Sequence, residues 1–241
     1  MKSQISRSRL HDKVALVTGG NRGIGLAIAR ALAGEGCHLV ITGRDQASLK
    51  KAAKELGRRV VPMACDVREP EAAERLLAAV KDRFERLDIL INNAGIAHAN
   101  LPVAKLSVND WKQVIDTNLT GMFLVTRAAL PLMKDGAAIV NNLSIAAKRV
   151  FPGSSAYNAS KHGALGFTNT LREELRDRGI RVIALMPGAT DTDMWRTFWP
   201  KAPRKNMMSP ATVARAVVNA LTLPEDSTVE ELVILPSAGV L

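Results

Sequence analysis

Lys13-Val14-Ala15-Leu16-Val17-Thr18-Gly19-Gly20-Asn21-Arg22-Gly23-Ile24-Gly25 is a short apolar run that ends on spaced glycines. A strand apolar on both faces belongs inside a parallel sheet. Helical spacing of apolar residues then runs from about Ile24 to Glu35. The spacing of Gly19, Gly23 and Gly25 is G-x-x-x-G-x-G, not the commoner G-x-G-x-x-G. The physics is shared: glycine tolerates positive φ and lets backbone approach a pyrophosphate at a helix N-terminus. The turn therefore reads as a phosphate-binding loop, with Asn21, Arg22 and Ile24 completing its contacts.

Outward from this turn the alternation repeats. His38–Thr42, Val60–Ala64, Leu87–Asn92, Ala137–Leu143, Ile180–Met186 and Glu231–Leu235 read as further strands. Between them lie helical patterns from Asp45, an N-cap, to about Leu56, then Glu69–Phe84, Val108–Met133, Ser155–Arg178 and Pro210–Leu221. Such alternation predicts the α/β class: a single Rossmann-type doubly wound parallel sheet of about seven strands with helices on both faces. Ligands then sit beyond the carboxyl ends of the strands. One domain is expected over 12–241. Residues 1–11 carry Lys2, Arg7 and Arg9 without an acid and read as a disordered basic arm, too short for an organellar leader.

Composition sets outer limits. The 241 residues are 47% hydrophobic, and no apolar run approaches membrane-spanning length. Cys37 and Cys65 lack metal-ligand spacing and read as buried hydrophobes of a reducing, cytoplasmic setting, with no metal site. Net charge is +10, and residues 1–59 hold twelve of the 33 Lys and Arg but four of the 23 acids. Nine aromatic residues in the whole chain are too few for base-stacking platforms. A phosphate-rich small ligand suits the excess better than nucleic acid does.

Folds that bind NAD place an acid at the end of the second strand for the ribose 2′-hydroxyl. Here that place reads Ile41-Thr42-Gly43-Arg44. The acid is missing and a guanidinium follows, with Arg22 a second cation on the same side. A 2′-phosphate accepts such contacts, so NADP(H) is the expected cofactor.

Tyr157 and Lys161 stand at i, i+4 in Tyr157-Asn158-Ala159-Ser160-Lys161, and Tyr157 is the only tyrosine. On a helix the two share one face. A phenol titrates near pH ~10, and a nearby ammonium favours its ionised form, which makes it usable as an acid or base. His162 beside Lys161 could pair with Ser144 as a hydrolase, but no G-x-S-x-G elbow surrounds that serine.

Taken in order, these motifs resemble the classical short-chain dehydrogenase/reductase family from Lys13 to about Thr192. The resemblance also covers Asp66-Val67 after the third strand, Asn92-Asn93-Ala94-Gly95 ending the fourth, Asn118, Ser144, and Pro187-Gly188 with Thr190 and Thr192 after the sixth. It implies that Tyr157 exchanges a proton with the carbonyl or alcohol oxygen and that Lys161 lowers the phenol pKa and holds the nicotinamide ribose. Ser144 would orient the carbonyl, and Asn118 would position a water leading from Lys161 to solvent. Asp66 and Val67 would hold the adenine. Asn93, Ala94 and Gly95 would line the cofactor, with Asn92 and Asn93 partly structural. The function implied is reversible NADPH-dependent reduction of a ketone or aldehyde. The alternative is a catalytically silent NADP(H)-binding regulatory protein on the same fold.

After the last strand the chain lacks the glycine-rich ending of many ketoacyl reductases, which weakens a role in fatty-acid synthesis. Substrate choice is expected in 189–209, where Trp195, Phe198 and Trp199 precede Lys201, Arg204 and Lys205. That suggests an apolar pocket with a basic rim for a carbonyl compound bearing a distant acid. Equally, the cations could be solvated and the aromatics packed on a partner subunit. The helices Val108–Met133 and Ser155–Arg178 carry apolar residues beyond one stripe, among them Met122, Phe123, Val125, Ala129, Leu165, Phe167 and Leu171. Family members pair these helices across a two-fold axis, so a homotetramer or homodimer is implied, with the tail Val233 to Leu241 a possible second interface.

Overall fold

The computed structural model describes residues 8–239. Seven strands, β1 Val14–Thr18, β2 His38–Gly43, β3 Val60–Ala64, β4 Leu87–Asn92, β5 Met133–Asn142, β6 Arg181–Pro187 and β7 Glu231–Ile234, form one sheet in the order β3-β2-β1-β4-β5-β6-β7. Every neighbouring pair is parallel. The order reverses direction between β1 and β4, which opens a crevice at their carboxyl ends.

The apolar strands feed two faces. Ala15, Val17, Ile89, Ile91, Ile183 and Leu185 pack under α1 (Gly23–Gly34), α2 (Gln46–Leu56) and α8 (Pro210–Leu221). Val14, Leu16, Leu87, Leu90 and Val182 pack under α3 (Pro70–Phe84), α5 (Gly121–Ala129) and α6 (Ser155–Glu174). Each large aliphatic side chain removed from water stabilises the fold by roughly 1.5–3 kcal/mol, so these two layers dominate. Asp45 caps α2 as expected, its carboxylate accepting from Ser48 N at 2.8 Å.

Three expectations change. The helix expected over 108–133 is broken into α4 (Val108–Ile115), a π-helical turn (Asp116–Thr120), α5, and a 3₁₀ turn (Leu130–Leu132). Met133 then already pairs with Leu87 in β5, which starts four residues before the expected Ala137 and carries a bulge. Pro131, with no amide hydrogen, ends the α-helical ladder there. The helix expected to Arg178 ends at Glu174 and continues as a 3₁₀ turn, Arg176–Arg178, stopped by Gly179 at φ +60°.

The disordered arm expected over 1–11 lies outside the described residues for 1–7, but Ser8–His11 is folded. Leu10 is buried in the core, Cys37 Sγ donates to its carbonyl oxygen at 3.2 Å, and Arg9 Nη1 donates to Leu223 O. One apolar side chain is enough to anchor the segment where its neighbours are polar. Cys37 and Cys65 are buried and unbridged.

Candidate active site

A cleft of about 1160 Å³ runs across the carboxyl ends of the strands. That exceeds the range of about 300–1,000 Å³ usual for small-ligand sites. At one end lies the turn between β1 and α1. Gly19 and Gly23 adopt φ +62° and +55°, where a side chain would be strained. A Cβ on Gly23 would meet Thr192 Cγ2 at 3.3 Å, so the turn after β6 folds across the glycine loop. The N-terminus of α1 has no side-chain cap, which leaves its amide groups available to an anion. Gly19, Asn21, Arg22, Gly23 and Ile24 line the cleft; Gly25 does not. A Cβ there would sit 2.3 Å from Asn93 Nδ2, so Gly25 makes room for that asparagine instead.

Asparagines and threonines tie the strand ends together. Thr18 Oγ1 accepts from Asn93 N and Ala94 N, both at 2.9 Å. Asn93 donates to Thr18 O and accepts from Asn142 Nδ2 at 2.8 Å. Below them Asn92 donates to Thr126 Oγ1 and Asn141 Oδ1, and Asn141 donates to Thr168 Oγ1. The side chain of Asn93 is thus consumed by structure, and Ala94 and Gly95 present backbone to the cleft. Asn141 and Asn142 escaped the sequence reading; two asparagines closing an otherwise apolar strand were the available signal.

At the ribose end, Gly43, Arg44, Asp45, Ser48, Asp66 and Val67 line the cleft. A Cβ on Gly43 would meet Asn21 Oδ1 at 2.9 Å, and Asn21 itself donates to Ser48 Oγ at 2.8 Å. Arg22 and Arg44 are exposed, and no carboxylate forms an ion pair with either among the described residues. Asp66 is held by Arg68, which donates to both carboxylate oxygens and holds the acid below its ordinary pKa. The carboxylate expected to hold an adenine is thus already bound by an arginine that the sequence gave no reason to single out.

The middle of the cleft brings together Ser144, Tyr157 and Lys161. Ser144 follows β5 and its hydroxyl accepts from Ala146 N at 3.1 Å. Tyr157 and Lys161 project from the first turns of α6 on one face, the ammonium 5.6 Å from the ring centroid. Lys161 is almost fully buried and donates to Asn142 O at 3.0 Å. Burial pushes it down to about 8. Burial raises the Tyr157 phenol, while a hydrogen bond with Ser144 pulls it back. For the phenol, desolvation outweighs any lowering by Lys161. The ammonium is turned to the Asn142 carbonyl and the ring face, so desolvation governs both groups.

Asn118 is wholly buried in the π turn and does not line the cleft. Its Oδ1 accepts from Ile96 N at 2.8 Å, and its Nδ2 donates to Ile96 O and Ser160 Oγ. Ser160 Oγ in turn donates to Tyr157 O. Beside it Asn158, silent in the sequence reading, donates to Arg149 O at 2.7 Å and binds the segment that faces Tyr157. His162 is exposed, with its ring nitrogen on Asn158 O, so no serine–histidine pair forms with Ser144. Pro187, Gly188, Thr190 and Thr192 line the far wall.

The segment 189–209 closes the remaining side. It holds α7 (Trp195–Phe198), whose Phe198 ring lies 5.9 Å from that of Tyr157. Asn100 N donates to Phe198 O, and Leu101 N to Gly153 O, so three loops are stitched together around the phenol. The expected basic rim is absent. Arg204 is paired with Asp191, and neither it nor Lys201 nor Lys205 lines the cleft.

The short chain dehydrogenase family model matches residues 13–203. A 3beta-hydroxysteroid dehydrogenase from Mediterraneibacter gnavus is 40% identical over 190 residues, covering 77% of this chain and 69% of that one. Among solved structures, an alcohol dehydrogenase from Thermococcus sibiricus complexed with 5-hydroxy-NADP superposes with a TM-score of 0.88 at 33% identity, covering 95% and 98% of the two chains. A 3-ketoacyl-(acyl-carrier-protein) reductase from Brucella melitensis complexed with NADH also gives 0.88, at 30% identity and 95% and 99% coverage.

Proposed function

The chain belongs to the short-chain dehydrogenase family, and from that premise we propose that it reduces a ketone or aldehyde to an alcohol, reversibly, with NADPH. The observation that carries this is the meeting of Ser144, Tyr157 and Lys161 in the same cleft as the positive-φ glycine turn. That turn fits a dinucleotide, since its glycines leave backbone open where side chains would fill the cradle. The pyrophosphate would rest on the N-terminus of α1, and Ala94, Gly95, Pro187, Gly188, Thr190 and Thr192 would flank the rest. NADPH over NADH is favoured by Gly43, Arg44 and Arg22: no acid stands at position 43, both guanidinium groups are without an ion pair among the described residues, and the nearby carboxylates of Asp45 and Asp66 are taken up by Ser48 N and Arg68.

Bound there, a reduced nicotinamide supplies a hydride. The chain's own residues handle the proton and the carbonyl. Tyr157, kept protonated by its surroundings, donates a proton to the carbonyl oxygen. Ser144 donates a hydrogen bond to the same oxygen and stabilises charge developing on it. Lys161 places a positive charge beside the phenol at the moment it ionises. Asn118 holds Ile96 and, through Ser160, the backbone of Tyr157, which makes it a positioning residue. The protein would act as a homotetramer or homodimer through α4, α5 and α6, and would work in the cytoplasm. Among the described residues no helix is long and apolar enough to cross a membrane.

The test is NADPH oxidation against a carbonyl panel, with Tyr157→Phe beside the wild type. Turnover should fall 10²–10⁴-fold in the variant, with NADPH affinity changed less than about threefold. A wild type that binds NADPH tightly and consumes none with any carbonyl would make the chain a silent cofactor-binding protein instead.

A further inference from the structure

We propose that the substrate end of the cleft selects neutral, ring-shaped carbonyl compounds over those bearing a carboxylate, sulfonate or phosphate. This rests on the reductase reading above and adds the chemistry of the substrate to it.

The wall beyond Tyr157 is built from Phe151, Pro152, Met194, Trp195, Phe198 and Trp199. Three of these rings continue the phenol into an aromatic surface: Phe198 lies 5.9 Å from Tyr157, Trp195 5.6 Å from Phe198, and Trp199 6.4 Å from Trp195. All three contacts are tilted or edge-on, the arrangement aromatic pairs prefer. Trp199 is 43% exposed and Met194 36%, so apolar surface is left uncovered at the mouth. A flat apolar ring would bury it.

The polar side chains on that side are Asn100 and Thr197, which are neutral, and Asp193, which is an acid. The Trp195 indole N–H is given to Thr190 O at 2.8 Å. Arg204 is bound to Asp191, and Arg196 lies 3.1 Å from Asp193. Among the described residues no arginine lines this part of the cleft, and the carboxylate that does is Asp193. Among the described residues the cation that lines the cleft beside the phenol is Lys161, already donating to Asn142 O, and Arg196 is held by Asp193. An anionic substrate would lose its hydration against aromatic carbon and gain no counter-ion, which is strongly unfavourable. A neutral ring meets no such penalty.

The experiment uses a matched set with one reacting ketone: 4-oxocyclohexanecarboxylate, its ethyl ester, cyclohexanone and 4-phenylcyclohexanone. Turnover is read as NADPH oxidation, and binding as quenching of tryptophan fluorescence in the presence of NADP⁺. The ester should exceed the carboxylate by about tenfold in kcat/KM and in affinity, and 4-phenylcyclohexanone should exceed cyclohexanone similarly. A ratio below fivefold in either pair overturns the proposal, as does failure of every compound to bind. Preferential binding without turnover refutes the reductase reading and leaves the selectivity standing. Asp193→Lys, at a side chain 58% exposed, should at least halve the ester's advantage over the carboxylate. An unchanged ratio there overturns the charge argument.

Discussion

Lys161 Nζ donates to the backbone oxygen of Asn142, the last residue of β5, at 3.0 Å. Through this bond α6 grips the sheet with a buried ammonium, and burial lowers that group from 10.5 to about 8. Between pH 8 and 10.5 the unfolded chain binds more protons at this site than the folded one, so its contribution to stability rises with pH there. Below pH 8 the folded state carries the whole penalty, about 3 kcal/mol at 1.36 per pKa unit. Lys161→Met should therefore abolish turnover yet raise Tm at pH 7 by about 4–8 °C, after losing a hydrogen bond worth about 1 kcal/mol. The gain should shrink as pH climbs past 8. A Tm lowered at pH 7, measured by calorimetry, would show that the bond to Asn142 outweighs desolvation.

The same shift predicts a pH profile. Because Tyr157 is raised, loss of its proton does not limit reduction near neutrality. The descending limb of kcat/KM for reduction should instead fall near pH 8, where Lys161 loses its charge. Initial rates from pH 6 to 10 check this, and a rate that stays level through pH 9 would overturn the assignment to Lys161.

Cofactor choice should respond to single changes at the ribose end. Arg44→Ala should weaken NADPH by roughly 10–150-fold, the range of one charge-assisted contact of about 1.5–3 kcal/mol, and leave NADH untouched. Gly43→Asp should act in the same direction while displacing Asn21, whose Oδ1 lies 2.9 Å from a Cβ at that position. Kd values for both cofactors decide it. Equal wild-type use of NADH and NADPH would remove the argument from Gly43 and Arg44.

Asn118→Ala should destabilise the chain by about 2–4 kcal/mol, since it orphans the amide and carbonyl of Ile96 together. Asn118→Asp should be at least as damaging, because a carboxylate cannot donate to Ile96 O. Urea unfolding compares the two. An aspartate variant as stable as wild type would mean that the donor half of the clasp is dispensable.

Assembly should run through the outer side of α4, α5 and α6. Of the apolar residues expected there, Met122, Val125, Ala129 and Leu171 are buried within the chain itself. Phe123 remains 42% exposed, edge-on to Phe167 at 6.2 Å, and Trp111 on α4 is exposed as well. Light scattering should give two or four chain masses, and Phe123→Glu should lower that number. One chain mass for the wild type would leave these rings to another use.

What the sequence revealed and what it hid follow one physical division. The strands, the glycine turn, the Asp45 cap and the Tyr157/Lys161 pair are local patterns, written in neighbouring residues. The fate of Met122 or Val125 is not local: a helical apolar stripe looks the same whether its own sheet or a partner covers it. Arg204 looked like a free cation because its partner Asp191 is thirteen residues away across a loop. The Asn92–Asn141–Thr168 chain likewise joins residues far apart in sequence. The phenol's environment depends on where Lys161 turns its ammonium, which spacing alone leaves open.

The π turn at Asp116–Thr120 makes residue count itself part of the site. A π turn holds one residue more than an α turn, and each residue advances a helix by about 100°. A gene that lost one codon beside Asn118 would keep every recognisable motif. Its product would nonetheless present Trp111, now half in solvent, and Val114, now buried, on rotated faces, and the clasp on Ile96 would come apart. Length drift in this helix is therefore as damaging as changing a motif residue, and an inventory of motifs would not detect it.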